Sequence, residues 1–286
     1  MIVDEKGKPL EEPGVAIPEM TEEQRREAEE RTSVTALIVH EAIRQDGDEE
    51  LRRPISALGW SGLAAGLSMG FSFLGEGLLN RYLPDTEWRP LLTNLAYPLG
   101  FLIVIIARQQ LFTENTLTAI IPLLARRNLA TLVLVLRLWT VVLIANLVGA
   151  HIFAWVIGNT HVVSPQVQDY LRQLALQAAD VSPADAILRG IFAGWLIALV
   201  VWMLAAADSG RLAIIIILTY VVGLAGLTHI VVGSIEVLYL PMTGLRPWLA
   251  VVTGYLLPTL LGNIIGGVAL VSALNHAQVI AGQSKR

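Results

Sequence analysis

A histidine and a threonine each lie in a short polar cluster that interrupts a long apolar stretch. The first cluster is Leu111-Phe112-Thr113-Glu114-Asn115-Thr116, inside an apolar run over about 95–124. The second is Gly226-Leu227-Thr228-His229, inside a run over about 213–240. An imidazole can exchange protons near neutral pH, and hydroxyl and amide groups can hydrogen-bond a small anion. The two clusters therefore indicate a path for a small weak acid or its anion.

The polar residues of the clusters are predicted to line a pore, although each also has a structural interpretation. His229 is the strongest candidate, because an ionisable group at bilayer depth is costly and by default suggests a functional role. Its alternative is a structural role, with the ring bonded to Thr228 or to a backbone carbonyl at a helix break. Thr113 and Asn115 either bind the anion or cap the half-helix that follows. We predict a substrate pore formed by His229, Thr113, Thr228 and Asn115.

The backbone at such breaks can itself attract anions. A break exposes N–H groups at the start of the next half-helix, where the positive end of the helix dipole lies. Two such ends that meet at the bilayer midplane make an anion site without any lysine or arginine. Leu111 and Phe112 either form an apolar constriction that strips water from an ion or simply pack. Asn146 and Asn263 are predicted to brace the broken segments rather than to contact substrate.

Membrane helices must hold these clusters. The chain has 286 residues, 54% hydrophobic and 15% charged, whereas soluble domains carry about 25% charged residues. Paired interruptions in the two halves of a membrane protein indicate a substrate path at the midplane. Six spans of near the ~20 residues that a bilayer requires are predicted at about 55–79, 94–124, 129–158, 185–207, 212–240 and 248–274. Glu76, near the outer end of the first span, is interpreted as a vestibule residue or an interfacial charge.

The charges of the loops predict the orientation. Alternate loops and the chain ends carry undiluted basic residues: Arg52, Arg53, Arg126, Arg127, Arg211, Lys285 and Arg286. On the opposite side, Arg81 and Arg89 are diluted by Asp85 and Glu87. The positive-inside rule therefore places both termini in the cytoplasm of a multi-pass protein of the bacterial inner membrane.

Three regions follow from this division. Residues 1–50 are predicted to be a cytoplasmic tail with an amphipathic helix at about 33–46, lying on the membrane or against a partner helix. Residues 51–276 form the transmembrane channel domain, and 277–286 a short cytoplasmic tail. Ser164-Pro165 predicts the start of a short surface helix in the long loop at about 159–184.

The two halves of the channel domain carry similar motifs in the same order. Gly62 and Gly66 in the first span match Gly190 and Gly194 in the fourth. Asn146-Leu-Val-Gly149 in the third span matches Asn263-Ile-Ile-Gly266 in the sixth. Thr113 precedes its asparagine by 33 residues and His229 precedes its own by 34. Because three spans per half is an odd number, we predict an inverted 3+3 repeat.

Several function classes are disfavoured. The chain has no cysteine, so disulfides and thiolate metal sites are excluded. Its net charge of -4 indicates no nucleic-acid surface. Phosphate loops, HExxH and nucleophile elbows are absent from the sequence. We therefore expect neither an enzyme nor a cofactor or metal.

These motifs together resemble the formate/nitrite transporter family over about 55–275. The resemblance rests on Leu111-Phe112-Thr113 with Asn115-Thr116, Arg137-x-Trp139, Asn146-Leu147-Val148-Gly149-Ala150, Gly190…Gly194…Val201-Trp202-Met203, Gly226-x-x-His229 and Leu257-Pro258…Gly262-Asn263-Ile264-Ile265-Gly266-Gly267. It implies an aquaporin-like fold, a homopentamer in lipid, and a pore for small monovalent anions in each subunit. It also implies that His229 is the central pore histidine, Thr113 the mobile loop threonine, and Leu111 and Phe112 the constriction.

The chain departs from the pattern of that family at several polar positions. Thr228 stands where transporting members have a glutamate, and Gln110 where a glutamate usually precedes Leu-Phe-Thr. Gly194 and Gly233 stand where asparagines are common, and Ala178 lies near the position of an expected basic residue. With these differences the chain resembles a divergent, YfdC-like branch of the family, in which the pore has lost several polar partners of its histidine.

The leading functional hypothesis is a channel or proton-coupled transporter for small monovalent weak-acid anions such as formate, nitrite or hydrosulfide. In this hypothesis proton transfer at His229 lets the anion cross as a neutral acid. One alternative is a pore for a neutral solute, since the lost polar partners make the path more apolar. The other is a non-transporting scaffold or sensor on the same fold.

Overall fold

A computed structural model describes residues 21–22, 35–207 and 209–283 of the chain. Regular structure from Ala36 onward is helical throughout the described ranges, as the sequence predicts. The helices are α1 (Ala36–Arg52), α2 (Ile55–Tyr82), α3 (Arg89–Ile106), α4 (Asn115–Thr118), α5 (Ile120–Arg126), α6 (Leu129–Asn159), α7 (Pro165–Ala178), α8 (Pro183–Ala206), α9 (Arg211–Leu224), α10 (Val232–Met242) and α11 (Trp248–Gly282). A 3₁₀ turn at Asn94–Ala96 interrupts α3, and π-helical stretches at Val252–Leu256 and Gly266–Ala273 interrupt α11.

Five of these helices, α2, α3, α6, α8 and α11, are long and apolar enough to cross a membrane. The predicted span over about 212–240 is divided into two shorter apolar helices, α9 and α10. The predicted span over about 94–124 is likewise divided, because α3 ends at Ile106 and α4 and α5 form its second part. Both segments that were predicted to be broken are therefore broken in the structure.

The two breaks begin with the same backbone turn. After α3, Arg108 has a φ of 53°, and the Gln109 N–H donates to the Val104 carbonyl at 2.9 Å. After α9, Gly226 has a φ of 59°, and the Leu227 N–H donates to the Val222 carbonyl at 3.0 Å. A left-handed residue followed by this six-residue hydrogen bond is the Schellman ending of a helix.

The first break was predicted too late in the chain. It starts at Ala107, before the cluster 111–116, and α4 begins inside that cluster at Asn115. The reason is that the left-handed Arg108 ends the helix, and an arginine gives no sequence signal for that conformation. The second break lies where Gly226 predicts it.

Close crossings of small residues hold the long helices together. α2 packs along α6, and α8 packs along α11. A Cβ on Gly66 would overlap the backbone carbonyl of Asn146, and a Cβ on Gly194 would overlap that of Asn263. These glycines let two backbones touch, as small-xxx-small pairs do in membrane helices. The crossings bring both asparagines beside the breaks.

An amphipathic helix precedes the first span. The observed α1 overlaps the predicted segment 33–46 and continues to Arg52, whereas positions 1–20 and 23–34 of the predicted tail lie outside the described residues. Its buried face includes Val39 and Ile43 and packs against α5, α8 and α11. His40 Nε2 lies 2.9 Å from His276 Nδ1, and Arg126 pairs with Asp48 at 2.7 Å. Of the predicted C-terminal tail, positions 284–286 lie outside the described residues.

The predicted surface helix in the long loop is confirmed as α7. Pro165 occupies its first turn, but the Ser164 hydroxyl does not cap it. Instead, Arg81 Nη1 donates to Ser164 Oγ at 2.8 Å. The loop is thereby attached to the end of α2, and α7 packs against α2 and α10.

Candidate functional site

The two breaks meet at a direct contact between Thr113 and His229. Thr113 Oγ1 lies 2.8 Å from His229 Nε2, and both side chains are fully buried. The ring of Phe101 packs edge-on against the imidazole, with 5.2 Å between ring centroids. These two residues are 116 positions apart in the chain, so only the fold brings them together.

The other nitrogen of His229 faces the start of α10. The N–H groups of Val231 and Val232 both point at His229 Nδ1, each at 3.3 Å. A nitrogen that accepts from N–H groups carries no proton, so the neutral ring has its proton on Nε2. His229 therefore donates from Nε2 to the Thr113 hydroxyl, and its Nδ1 satisfies the first turn of the half-helix.

Two cavities lie beside the breaks, one lined by His229 and the other by Asn115. The first, here called the His229 cavity, has a volume of about 410 Å³. Its polar lining includes Glu76, Asn80, Arg89, Tyr97, Gln177, Arg189, Thr228, His229, Glu236 and Tyr255. The second, here called the Asn115 cavity, has a volume of about 430 Å³. Its polar lining includes Asp46, Glu49, Glu50, Arg53, Arg108, Gln109, Gln110, Glu114, Asn115, Thr118 and Arg211.

Asn146 hydrogen-bonds two backbone groups of the first break and one of α2. Its Oδ1 accepts from the Phe112 N–H at 2.9 Å. Its Nδ2 donates to the carbonyls of Gly62 at 2.8 Å and Gln110 at 2.9 Å. Buried backbone groups without a partner are costly, so this side chain removes two such costs at the break and ties the break to Gly62 inside α2.

Asn263 makes the same set of hydrogen bonds at the second break. Its Oδ1 accepts from the Ile230 N–H at 2.8 Å. Its Nδ2 donates to the carbonyls of Gly190 and Thr228, both at 2.9 Å. The two breaks are thus held by one hydrogen-bond pattern, built from matching positions of the two halves.

The remaining predicted site residues do not share one cavity. Thr228 lines the His229 cavity, and its hydroxyl donates to the Ala186 carbonyl at 2.7 Å. Asn115 lines the other cavity and donates to Gln110 Oε1 at 3.0 Å. Leu111 and Phe112 are fully buried and line neither of these two cavities. The Phe112 ring packs edge-on against Trp139 at 5.6 Å.

Sequence reasoning did not single out Arg189, Glu236 or Tyr255, which line the His229 cavity. Glu236 stands seven residues after His229 in an apolar stretch, and an ionisable group there was an available signal. Tyr255 carries no such signal, because tyrosines are common in membrane helices. Ala178, which lies near the position of an expected basic residue, lines this cavity. The positive charge of the cavity comes instead from Arg89 and Arg189.

Comparison with known proteins decides the family. The formate/nitrite transporter model matches residues 38–277. The chain belongs to the formate/nitrite transporter family. It is 42% identical over 251 residues to Inner membrane protein YfdC of Escherichia coli (strain K12), an alignment that covers 88% of this chain and 81% of that relative. The resemblance read from the sequence is thereby confirmed.

Solved structures of the formate/nitrite transporter family share the fold. One, described as a pentameric formate channel with formate bound, has a TM-score of 0.65 at 21% identity, covering 83% of this chain and 99% of that chain. Another, described as an FNT family ion channel, has a TM-score of 0.69 at 18% identity, covering 82% of this chain and 96% of that chain. At these identities the similarity shows the architecture only.

Two glycines of this family member leave no room for a side chain. A Cβ on Gly194 would overlap the Asn263 backbone, and a Cβ on Gly233 would overlap the hydroxyl of Tyr255. The space that a larger residue would need at position 233 is filled from another helix. The hydroxyl of Tyr255 therefore lies against Gly233, and both residues line the cavity together with His229.

Proposed function

We propose that this protein is a channel or proton-coupled transporter for small monovalent weak-acid anions, such as formate, nitrite or hydrosulfide, across the bacterial inner membrane. The observation that carries the proposal is the buried Thr113–His229 contact, which joins the two breaks at the edge of the His229 cavity. Membership of the formate/nitrite transporter family, the name of the inner-membrane relative and the formate held by a similar structure support it. A transport function leaves no role for an enzymatic step.

The proposed architecture is an inverted 3+3 repeat of six spans. In it, α9 and α10 together form the fifth span, and α3 with α4 and α5 the second. The matching hydrogen bonds of Asn146 and Asn263 support the repeat and the bracing role of both residues. The loop charges place both termini in the cytoplasm, so the Asn115 cavity faces inward and the His229 cavity outward. A homopentamer is proposed from the pentameric structure that shares the fold.

In this proposal the substrate crosses where Thr113 and His229 now bind each other. The Thr113 side chain moves aside, and the Nε2–H of His229 donates to an oxygen of the substrate. A second proton on Nδ1 would face the N–H groups of Val231 and Val232. His229 therefore acts as a neutral donor, which differs from the expectation that it supplies the proton. Thr228 and Asn115 border the two approaches, and Leu111 and Phe112 form the apolar collar around the contact.

A non-transporting scaffold is the second candidate. The observation in its favour is that Thr113 and His229 are fully buried and bind each other, so neither is open to a substrate in this conformation. The three acidic residues of α1 that line the Asn115 cavity, Asp46, Glu49 and Glu50, would then serve a partner rather than a pore. A pore for a neutral solute predicts instead that swelling of vesicles is insensitive to anions.

Flux into liposomes tests these alternatives directly. We expect formate, nitrite and hydrosulfide to enter vesicles that contain the wild-type protein. His229→Phe removes the donor and should lower the flux by about tenfold or more, since a lost transition-state hydrogen bond costs this much. Thr113→Val should change the flux less than His229→Phe does. The variant keeps the His229 donor and removes only the hydroxyl that shields this donor. His161→Phe, on an exposed loop, is the matched control.

The outcomes separate the candidates. Flux that His229→Phe leaves unchanged contradicts the proposed site. Absence of flux for all three anions, with intact pentamers, contradicts transport and favours the scaffold.

A further inference from the structure

Helix α11 contacts both of the broken segments. Its Asn263 holds the second break through three hydrogen bonds. One turn further along the same helix, Gly267 lies against the first break. A single helix therefore touches the segment that carries Thr113 and the segment that carries His229, and its shape affects the distance between these two residues.

Thr116 is the residue of the first break that meets α11. It is fully buried, and its hydroxyl donates to the Thr113 carbonyl at 2.7 Å. The Thr116 N–H lies further from the same carbonyl, at 3.4 Å. A Cβ on Gly267 would overlap the Thr116 hydroxyl, so the backbone of α11 lies directly against this side chain. The hydroxyl is thus the closer of two donors that fix the Thr113 backbone, and α11 keeps it in place.

Ser272 ties Thr116 to α11 by a hydrogen bond. Its hydroxyl is fully buried and lies 2.9 Å from the Thr116 carbonyl oxygen and 2.9 Å from the Gly267 carbonyl oxygen. A hydroxyl has one proton, so the two carbonyls share this donor. The Ser272 side chain therefore connects the backbone of the first break to the backbone of α11.

The π-helical stretch Gly266–Ala273 explains why both contacts are possible. Gly267 and Ser272 are five residues apart. In an α-helix, at about 100° per residue, they would point about 140° apart around the axis. In a π-helix, residues five apart are hydrogen-bond partners and lie one above the other. The π form therefore turns both residues toward Thr116, and an α-helical form would turn one of them away.

Thr113 lies between two anchored positions of the backbone. On α6, Asn146 accepts from the N–H of Phe112, the preceding residue. On α11, Ser272 donates to the carbonyl of Thr116, three residues further along. Because α6 is a regular α-helix, its anchor has no alternative form. The π stretch of α11 has one, since a shift of its hydrogen bonds from i+5 to i+4 would make it α-helical. The anchor on α11 is therefore the one that a rearrangement of its helix can release.

We propose that α11 holds Thr113 against His229 through a latch, and that release of this latch opens the pore. The latch consists of Thr116, Gly267 and Ser272. They are positioning residues, since they act through Thr113 and line neither of the two cavities. The inference rests on the proposed transport function and names the part of the fold that moves before the substrate enters. Release is the change of the α11 stretch from π to α form, which carries Ser272 away from the Thr116 carbonyl.

Thiol labelling measures the latch without a transport assay. The chain contains no cysteine, so Thr113→Cys introduces the only thiol of the full-length protein. The latch binds the backbone of residue 113 rather than its side chain, so it survives this substitution. N-ethylmaleimide should label the purified protein slowly in detergent, because the position is fully buried. Ser272→Ala and Thr116→Val each remove one hydrogen bond and should raise the labelling rate about fivefold.

Matched variants separate the latch from a general loosening of the fold. Thr116→Ser keeps the hydroxyl and should leave the labelling rate of Thr113→Cys unchanged. Thr219→Val, which removes a buried hydroxyl inside α9, should also leave it unchanged. In a separate protein, Ala65→Cys places the thiol at a fully buried position of α2. Its labelling rate should be the same with and without Ser272→Ala.

Flux into liposomes then connects the latch to transport. A substrate that binds only the released form has an apparent Kd that falls as this form becomes more populated. Ser272→Ala should therefore lower the KM for formate about fivefold and leave the maximal rate unchanged. Damage to the pore would instead lower the maximal rate.

Contrary results are distinct from failure of the proposed function. If neither Ser272→Ala nor Thr116→Val speeds the labelling of Thr113→Cys, or if Ser272→Ala speeds that of Ala65→Cys equally, the latch is wrong. If labelling rises but the KM for formate stays the same, its release does not open the pore and the inference is overturned. If labelling rises as expected and formate crosses in no variant, the latch stands and the transport function is wrong.

Discussion

The two broken segments use one supporting framework for two different purposes. Each ends its first half in a Schellman turn, and each is fixed by an asparagine that makes three backbone hydrogen bonds. The first break contributes the Thr113 hydroxyl, and the second contributes the His229 ring. The shared framework satisfies the backbone, which leaves the side chains at the contact free to differ between the halves.

The difference extends to the turn residue and to the cavity beyond it. The left-handed position is Gly226 in one break and Arg108 in the other. Arg108 lines the Asn115 cavity, whereas a Cβ on Gly226 would meet only the tip of Arg189. The first break therefore has a strained backbone at Arg108, whose guanidinium lines the cavity. The second break has glycine at the same place and lacks this strain. Three experiments test how far the two breaks are equivalent.

The largest effect is expected from the asparagines. Asn146→Ala and Asn263→Ala each leave two buried backbone groups of a break unpaired and remove a third hydrogen bond to a helix carbonyl, so each should lower the free energy of unfolding by roughly 3 kcal/mol or more. Denaturation of the detergent-solubilised protein, followed by circular dichroism, measures this. Asn159→Ala, which loses one hydrogen bond at the surface, is the control. A large loss for only one asparagine would show that the two frameworks are not equivalent.

The turn residues should show a smaller and asymmetric effect. Gly226→Ala places a Cβ at positive φ and should cost roughly 1 kcal/mol of unfolding free energy. Gly226→Asn should cost less, because asparagine tolerates this conformation. Arg108→Gly should be nearly neutral, since relief of strain offsets the added freedom of the unfolded chain. The same denaturation assay applies, and an equal cost at both positions contradicts the asymmetry.

The smallest expected effect is a pH dependence of the local stability of α1. This helix borders the Asn115 cavity, whereas α7 borders the His229 cavity. Burial lowers the pKa of His40 on α1, and the neighbouring His276 and Arg44 lower it further, whereas Glu41 opposes them. The folded protein therefore binds fewer protons at His40 than the unfolded chain does. The contribution of His40 to the free energy of unfolding is therefore complete above pH 6.5, the ordinary pKa of histidine. It is lost as the pH falls below that value.

Hydrogen exchange measures this dependence. Amide exchange in α1 should become faster as the pH falls from about 7.5 to about 5.5, after correction for intrinsic rates. His40→Gln should remove the change. Because α7 contains no histidine, its exchange serves as an internal control. Equal acceleration in both helices would indicate a general loss of stability.

Much of the fold follows from the sequence, for reasons that differ between elements. Long apolar stretches with few charges predict the spans, and Gly226 predicts the second break because only a few residues tolerate a positive φ. Arg108 gives no comparable signal, which is why the first break was placed too late. The division of the 212–240 span into α9 and α10 follows from the same Gly226 turn. The paired asparagines were predicted from spacing, and the structure shows all six of their hydrogen bonds.

By itself, the sequence determined the helical membrane class, the family and the two polar clusters, because hydropathy, turn residues and motif spacing are local properties. Tertiary structure alone decided which groups meet. It placed Thr113 against His229, turned Nδ1 of that histidine toward two backbone N–H groups, and put Glu76, Glu236 and Tyr255 in one cavity. These residues come from three helices and the two breaks, and most of their separations in the chain exceed the reach of any local pattern. The polar clusters were visible in the sequence, but their chemistry depends on contacts that only packing creates.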